Sequence, residues 1–97
     1  MPRRACAKDA NHDEIAGALL QLGWWVVDTS QAAQVVPGFP DLLAAKAGMT
    51  VLIEVKTRRG RLTPAESVFQ MLWPDRYRIV RRIEDVEAIE AEWREGV

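Results

Sequence analysis

Two acids and a lysine, Asp41, Glu54 and Lys56, are spaced so that they meet at one end of a β-hairpin. Residues 41–46 (Asp-Leu-Leu-Ala-Ala-Lys) and 50–55 (Thr-Val-Leu-Ile-Glu-Val) both read as strands, and Ala47-Gly48 supplies a two-residue turn. In that register Lys46 opposes Met49, Leu43 opposes Leu52 and Asp41 opposes Glu54. Directly opposed Cβ atoms lie about 4.5–5.5 Å apart. Alternation puts Leu52, Glu54 and Lys56 on one face of the strand and Val51, Ile53 and Val55 on the other. Two carboxylates facing each other in a half-dry setting repel and require a cation between them. Lys56 could be that cation, giving a structural ion-pair cluster. A divalent metal is the alternative, since Mg²⁺ takes one or two carboxylates, keeps several waters and bridges to phosphate oxygens. Both readings depend on register, because a one-residue slip separates the acids.

The elements around this hairpin read as α-β-β-β-α-β-α. Asn11-His12-Asp13-Glu14 looks like a helix start with Asn11 at the N-cap; Ile15, Leu19 and Leu22 follow as a buried stripe, and Gly23 stops it. Trp24-Trp25-Val26-Val27 reads as the first strand. Residues 29–40, with Gly38, Pro37 and Pro40, read as an irregular connection. Thr63-Pro64-Ala65-Glu66 opens a second helix, with Thr63 as cap, Pro64 at the first position and Glu66 closing a capping box; this helix runs to about Trp73. Tyr77-Arg78-Ile79-Val80 reads as a strand, and Ile83, Val86, Ile89, Glu90 and Trp93 fit a closing amphipathic helix whose other face is acidic.

At 97 residues and 48% apolar content, the chain is expected to form one domain with a modest core, helped by self-association. No apolar run approaches the ~18 residues of a membrane span. The N-terminal Arg3, Arg4 and Lys8 are followed by no signal-like apolar segment. With Cys6 alone there is no internal disulfide. The expectation is a reduced, cytoplasmic protein. The net charge of −1 hides an uneven distribution. From residue 83 onward Glu84, Asp85, Glu87, Glu90, Glu92 and Glu95 face only Arg94, a net −5, while the first 82 residues carry +4. Lys56, Arg58, Arg59 and Arg61 form one basic cluster and Arg76, Arg78, Arg81 and Arg82 another, compatible with phosphate binding if they share a face.

Gly38-Phe39-Pro40-Asp41 followed, after the hairpin, by Glu54-Val55-Lys56 resembles the PD-(D/E)XK nuclease motif. Glu14 on an opening helix that ends at Gly23, Gly60-Arg61-Leu62-Thr63-Pro64-Ala65-Glu66 after the lysine, and Ile79-Val80-Arg81 before a last acidic helix extend the likeness. Together they resemble the VRR-NUC branch, and its small stand-alone phage-type members in particular, over roughly residues 9–90. Glu66 is a departure, since much of the wider family carries Gln there.

The resemblance implies an α/β fold with a restriction-endonuclease-like αβββαβ core: a mixed central sheet flanked by helices, plus a C-terminal helix. It implies a single domain over residues 1–97, with 1–9 as a flexible N-terminus. The implied activity is Mg²⁺- or Mn²⁺-dependent hydrolysis of DNA phosphodiesters by an endonuclease selective for branched DNA such as a four-way junction, acting as a homodimer without organic cofactor. The implied roles are Asp41 and Glu54 as metal ligands with the backbone carbonyl of Val55, Lys56 orienting or helping to deprotonate the attacking water, and Glu14 reaching in as a ligand through water or an anchor for a second metal. Two rivals keep the fold without the chemistry: a non-catalytic nucleic-acid-binding module, and a structural protein in which the acids and lysine form only a salt-bridge network.

Other residues have plainer readings beside these. Glu14 could instead close the first helix, and Glu66 is read as a cap. The N–H groups at Thr63 could hold a phosphate. Arg58, Arg59 and Arg61, directly after the hairpin strand, are read as phosphate contacts. His12 is expected to face solvent from a first helical turn. Trp24, Trp25, Trp73 and Trp93 are read as core or interface residues, with stacking on unpaired bases as the alternative.

Overall fold

In the computed structural model residues 11–96 are described; the expected flexible segment over 1–9, and Cys6 within it, lie outside the described residues. The elements are α1 (His12–Gln21), β1 (Trp25–Asp28), a 3₁₀ turn (Ser30–Gln34), β2 (Leu42–Lys46), β3 (Met49–Val55), α2 (Pro64–Leu72), β4 (Tyr77–Val80) and α3 (Ile83–Gly96). Among the described residues the fold is α/β, with one four-stranded mixed sheet in the order β1-β2-β3-β4. β1–β2 and β2–β3 are antiparallel and β3–β4 is parallel. Parallel neighbours need a crossover, which α2 supplies.

The β2–β3 register is the expected one, with Lys46 opposite Met49 and Leu43 opposite Leu52. Gly48 at φ 83° makes the turn between them, a conformation that costs a residue with a Cβ about 1–2 kcal/mol. One face of the sheet carries the core. Ile15 and Leu19 of α1 and Val86 and Ile89 of α3 pack there on Leu42, Ala44, Val51, Ile53, Val55 and Val80. The opposite face, with Leu43, Leu52, Glu54, Tyr77 and Ile79, borders α2, in which no residue is buried. Val68, Met71 and Leu72 on α2 are exposed apolar side chains, Met71 at 77%.

Several expectations are corrected. His12 is buried (2% exposed) rather than solvent-facing, because the first turn of α1 is pressed toward the end of β1: its Nε2 lies 3.9 Å from Asp28 Oδ1. Asn11 stands at the N-cap position without capping α1; its Nδ2 donates to the carbonyls of Arg81 (2.9 Å) and Lys56 (3.3 Å), tying the helix start to two strand ends. The connection after β1 contains the 3₁₀ turn, begun where Asp28 Oδ1 accepts from both Ser30 N–H and Ser30 O–H. Trp24 precedes β1 and is buried, whereas Trp25 is 63% exposed. Trp93 packs on the core and donates to the Ala47 carbonyl, but Trp73, just past α2, is half exposed. No helix among the described residues is long and apolar enough to cross a membrane.

A buried polar knot fixes α3 to the hairpin. Glu90 accepts from Trp24 Nε1 at 2.9 Å and from Lys46 Nζ at 3.0 Å, and the Lys46 ammonium sits 4.0 Å from the Trp93 ring centre. The Lys46 hydrogen bond, the largest influence, holds the Glu90 carboxyl below its ordinary range.

The loop ahead of β2 is set against α2 by Gly38. Its φ is +85°, and a Cβ there would lie 2.5 Å from the carbonyl carbon and oxygen of Ala65. Gly38→Ala is therefore expected to lower unfolding stability by about 2 kcal/mol or more, read by urea denaturation. A change below ~0.5 kcal/mol would show that the loop does not abut α2.

Candidate functional site

Asp41 lies one residue before β2, and its backbone is pinned by Thr29: Thr29 N–H donates to the Asp41 carbonyl (2.8 Å) and Thr29 Oγ1 to the Pro40 carbonyl (2.7 Å). Its side chain then turns to β3, where Oδ2 accepts from Val55 N–H at 2.9 Å. In a strand one residue presents its N–H and C=O to the same neighbour. The Val55 carbonyl therefore faces the Asp41 side, while the N–H groups of Leu52 and Lys56 go to β4, bonding Arg76 and Val80 carbonyls.

Glu54 projects from the face opposite the core yet is only 3% exposed. Burial above all, then the charges of Asp41 and Glu66, push its carboxyl up to about 9. Lys56 Nζ lies 3.5 Å from Glu54 Oε2 and 2.9 Å from Glu66 Oε1. Burial works against the Lys56 charge, but the hydrogen bond to Glu66 and the charges of Glu54 and Glu66 outweigh it and hold the ammonium above the ordinary lysine range. Burial likewise works against the Glu66 carboxylate, and the Thr63 N–H and Lys56 outweigh it, leaving Glu66 below its usual range. Tyr77, on β4 beside Leu52, has a buried hydroxyl held above its ordinary range by burial and by Glu54, Glu66 and Asp41.

The structure thus brings together Asp41, Glu54 and Lys56, with Val55 between them. Glu14 is left outside: it is exposed on α1, on the other side of the sheet, and is not among the carboxylates acting on Glu54. Glu66 was legible as a cap, and the full capping box with Thr63 is present. Its second role, as the nearer partner of Lys56, had no sequence signal beyond its place one turn into the helix that follows the loop. That box also removes donors expected for a phosphate. Thr63 N–H is taken by Glu66 Oε1 and Glu66 N–H by Thr63 Oγ1, and Pro64 has no N–H.

The basic clusters divide by task. Arg78 is paired with Glu92 of α3 at 2.7 Å. Arg81 Nη1 donates to the carbonyls of Thr57, Arg58 and Gly60, so it shapes the loop after Lys56. Arg58 of the first cluster meets Arg81 and Arg82 of the second, with Asp85, around one hollow of about 410 Å³, while Arg76 lines a separate groove; Arg59 and Arg61 are exposed on the same loop as Arg58.

Whether these residues suit a divalent cation can be judged from Glu54. Its Oε1 is buried and accepts no hydrogen bond, and its carboxyl is within hydrogen-bonding reach of Asp41 and Glu66, so either a proton shared with them or a cation must meet it. Two facing carboxylates and a carbonyl are hard oxygen donors of the kind Mg²⁺ and Mn²⁺ take. Among the described residues no group of three or more His, Cys, Asp or Glu side chains is placed to hold a metal ion, so any cation here would draw on two carboxylates, a carbonyl and water. The donor set fits. Comparison with family models, with curated proteins and with solved structures returns no match.

Glu54 binds its proton more tightly in the folded chain than in the unfolded one. Its contribution to stability is fully present below pH about 4.5 and is lost as pH rises toward about 9. Without metal, the Tm of the wild type relative to Glu54→Gln should fall by at least about 5 °C between pH about 5 and 9. Added Mn²⁺ should raise the wild-type Tm most at the alkaline end, where proton and metal compete least. A flat difference, or no metal effect, would count against a proton-or-cation requirement at this carboxylate.

Proposed function

We propose that the protein is a metal-dependent nuclease of the PD-(D/E)XK type, with a restriction-endonuclease-like core, hydrolysing DNA phosphodiester bonds. The observation that carries this reading is the buried, unpartnered Glu54 Oε1 facing Asp41, with the Lys56 ammonium alongside. Asp41, Glu54 and the Val55 carbonyl would hold Mg²⁺ or Mn²⁺, which supplies a more acidic bound water and offsets charge on the phosphoryl oxygens. Asp41 keeps its orientation through Val55 N–H, and Glu54 is fixed by the strand. Lys56 orients the attacking water and faces the negative charge that builds on the phosphate. Arg58, Arg59 and Arg61, on the loop directly after it, meet the backbone of the same strand.

Selectivity for branched DNA and a homodimer follow from the likeness to VRR-NUC nucleases. The exposed stripe of Val68, Met71 and Leu72 on α2 supports the second: three apolar side chains at i, i+3 and i+4 form a surface that a second copy would cover. A purely structural cluster is favoured by the 2.9 Å Lys56–Glu66 contact, but it holds Glu54 only as a protonated carboxyl sharing its proton with Asp41 or Glu66.

Purified protein should cut labelled four-way-junction DNA faster than linear duplex in Mg²⁺ or Mn²⁺ and not at all in chelator. Asp41→Asn and Lys56→Ala, folded by circular dichroism, should lose about 100-fold or more of that rate. Cleavage that survives the chelator, or an unimpaired Lys56→Ala, would overturn the reading. Met71→Glu combined with Leu72→Glu should convert a dimer to a monomer by light scattering, and an unchanged mass would remove α2 from the interface.

A further inference from the structure

We propose that the groove between the β2–β3 turn and the end of α2 holds one unpaired nucleobase of the bound strand, stacked on Trp73, with the next phosphate at Arg76. This rests on the nucleic-acid reading above and adds to it a recognition element for single-stranded character.

The groove measures about 360 Å³ and is lined by Gly48, Thr50, Leu52, Trp73 and Arg76. That is the lower end of the range for small-ligand sites, ample for one base. Trp73 is 42% exposed, and its orientation is set in advance. Its ring stacks on Phe69 (centroids 5.4 Å, 19°), and Phe69 meets Phe39 edge-on (5.5 Å, 73°). Arg76 leaves the same turn, since the Trp73 carbonyl accepts from the N–H groups of Arg76 (3.1 Å) and Tyr77 (2.9 Å). The Arg76 carbonyl accepts from Leu52 N–H at 2.8 Å, which fixes that turn against β3. An aromatic face beside an exposed guanidinium is the pairing that single-strand binders use for base and backbone. Thr50 adds a hydroxyl at the rim.

Position links the groove to the acids. Thr50, Leu52 and Glu54 follow one another on the same face of β3, each two-residue step about 6.8 Å. Phe39, at the other end of the aromatic row, lies two residues before Asp41. A strand whose phosphate lies at Asp41 and Glu54 therefore reaches Trp73 within one or two nucleotides. Within the apolar stripe assigned to a second copy, Met71 lies about 160° around α2 from Phe69, whereas Leu72, three residues on from Phe69, borders the aromatic row, so a second copy centred on Met71 leaves the groove open.

The test uses the full chain in chelator, where cleavage does not intervene. A short single strand carrying 2-aminopurine should lose fluorescence on binding, and an oligothymidylate should bind at least about 10-fold more tightly than a deoxyribose-phosphate oligomer of equal length without bases. Trp73→Ala should abolish that preference, Trp73→Phe should keep most of it, and Arg76→Ala should weaken both oligomers alike. Equal binding of the two oligomers, or a preference that persists in Trp73→Ala, would overturn the base site. So would a Trp73→Ala variant that turns monomeric with the preference intact, since the groove would then belong to a second copy. Metal-dependent cleavage without base preference leaves the nuclease reading and removes this site; base preference without cleavage in any metal does the reverse.

Discussion

The burial of Glu54 beside Asp41 and Glu66 is the constraint around which the site end of the molecule is built. A carboxyl pushed up to about 9 in a chain with no internal need for it is a local conflict that a purely structural protein would relieve by an apolar substitution. Here the neighbours hold the conflict in place. Thr29 fixes the backbone at Asp41, Val55 N–H fixes its side chain, and the hairpin register fixes Glu54 opposite. The restraints come from the loop at Thr29 and from the β2–β3 hairpin, so the pair cannot drift apart without loss of several hydrogen bonds.

The sheet divides labour between its faces. α1 and α3 cover one face and supply nearly all the apolar packing, locked at one end by the Lys46–Glu90–Trp24 knot. The other face is left to α2, in which no residue is buried, and it carries the acids, the lysine and the exposed aromatic and aliphatic side chains. Two polar staples connect the halves at the site end. Asn11 holds the start of α1 to the Lys56 and Arg81 carbonyls, and Arg81 holds the loop that begins at Thr57. Stability from one face thus keeps the geometry on the other rigid, though that other face is built from groups that destabilise.

Features that depend on neighbours along the chain were legible in the sequence. Gly48 and strict alternation determined the β2–β3 register, and Thr63-Pro64-x-Glu66 marked the start of α2 with its capping box. What depends on contacts between distant segments was not. His12 has the local signature of an exposed first-turn residue and is buried only because α1 docks on the end of β1. Asn11 looks like a cap but spends its amide across 45 and 70 residues of chain. The four tryptophans look alike in composition, yet Trp24 is buried against Glu90 while Trp25 alternates onto the uncovered face. Glu66 carries two roles, and only the nearer, along its own helix, can be read from spacing.

That second role bears on what Lys56 can do. Under the nuclease reading, a divalent cation beside Lys56 works against the ammonium, as burial already does. Glu66, at 2.9 Å, is the group that offsets both. A lysine held in its charged form by a close carboxylate is a poor proton acceptor and a good hydrogen-bond donor, so it orients water and meets phosphate charge rather than taking the water's proton. Gln at this position, as much of the wider family carries, would donate or accept a hydrogen bond but add no charge, leaving Lys56 easier to deprotonate. Under the nuclease reading, Glu rather than Gln at position 66 would suit the lysine to electrostatic work. Glu66 itself, held below its ordinary range by Thr63 N–H and Lys56, is a weak base.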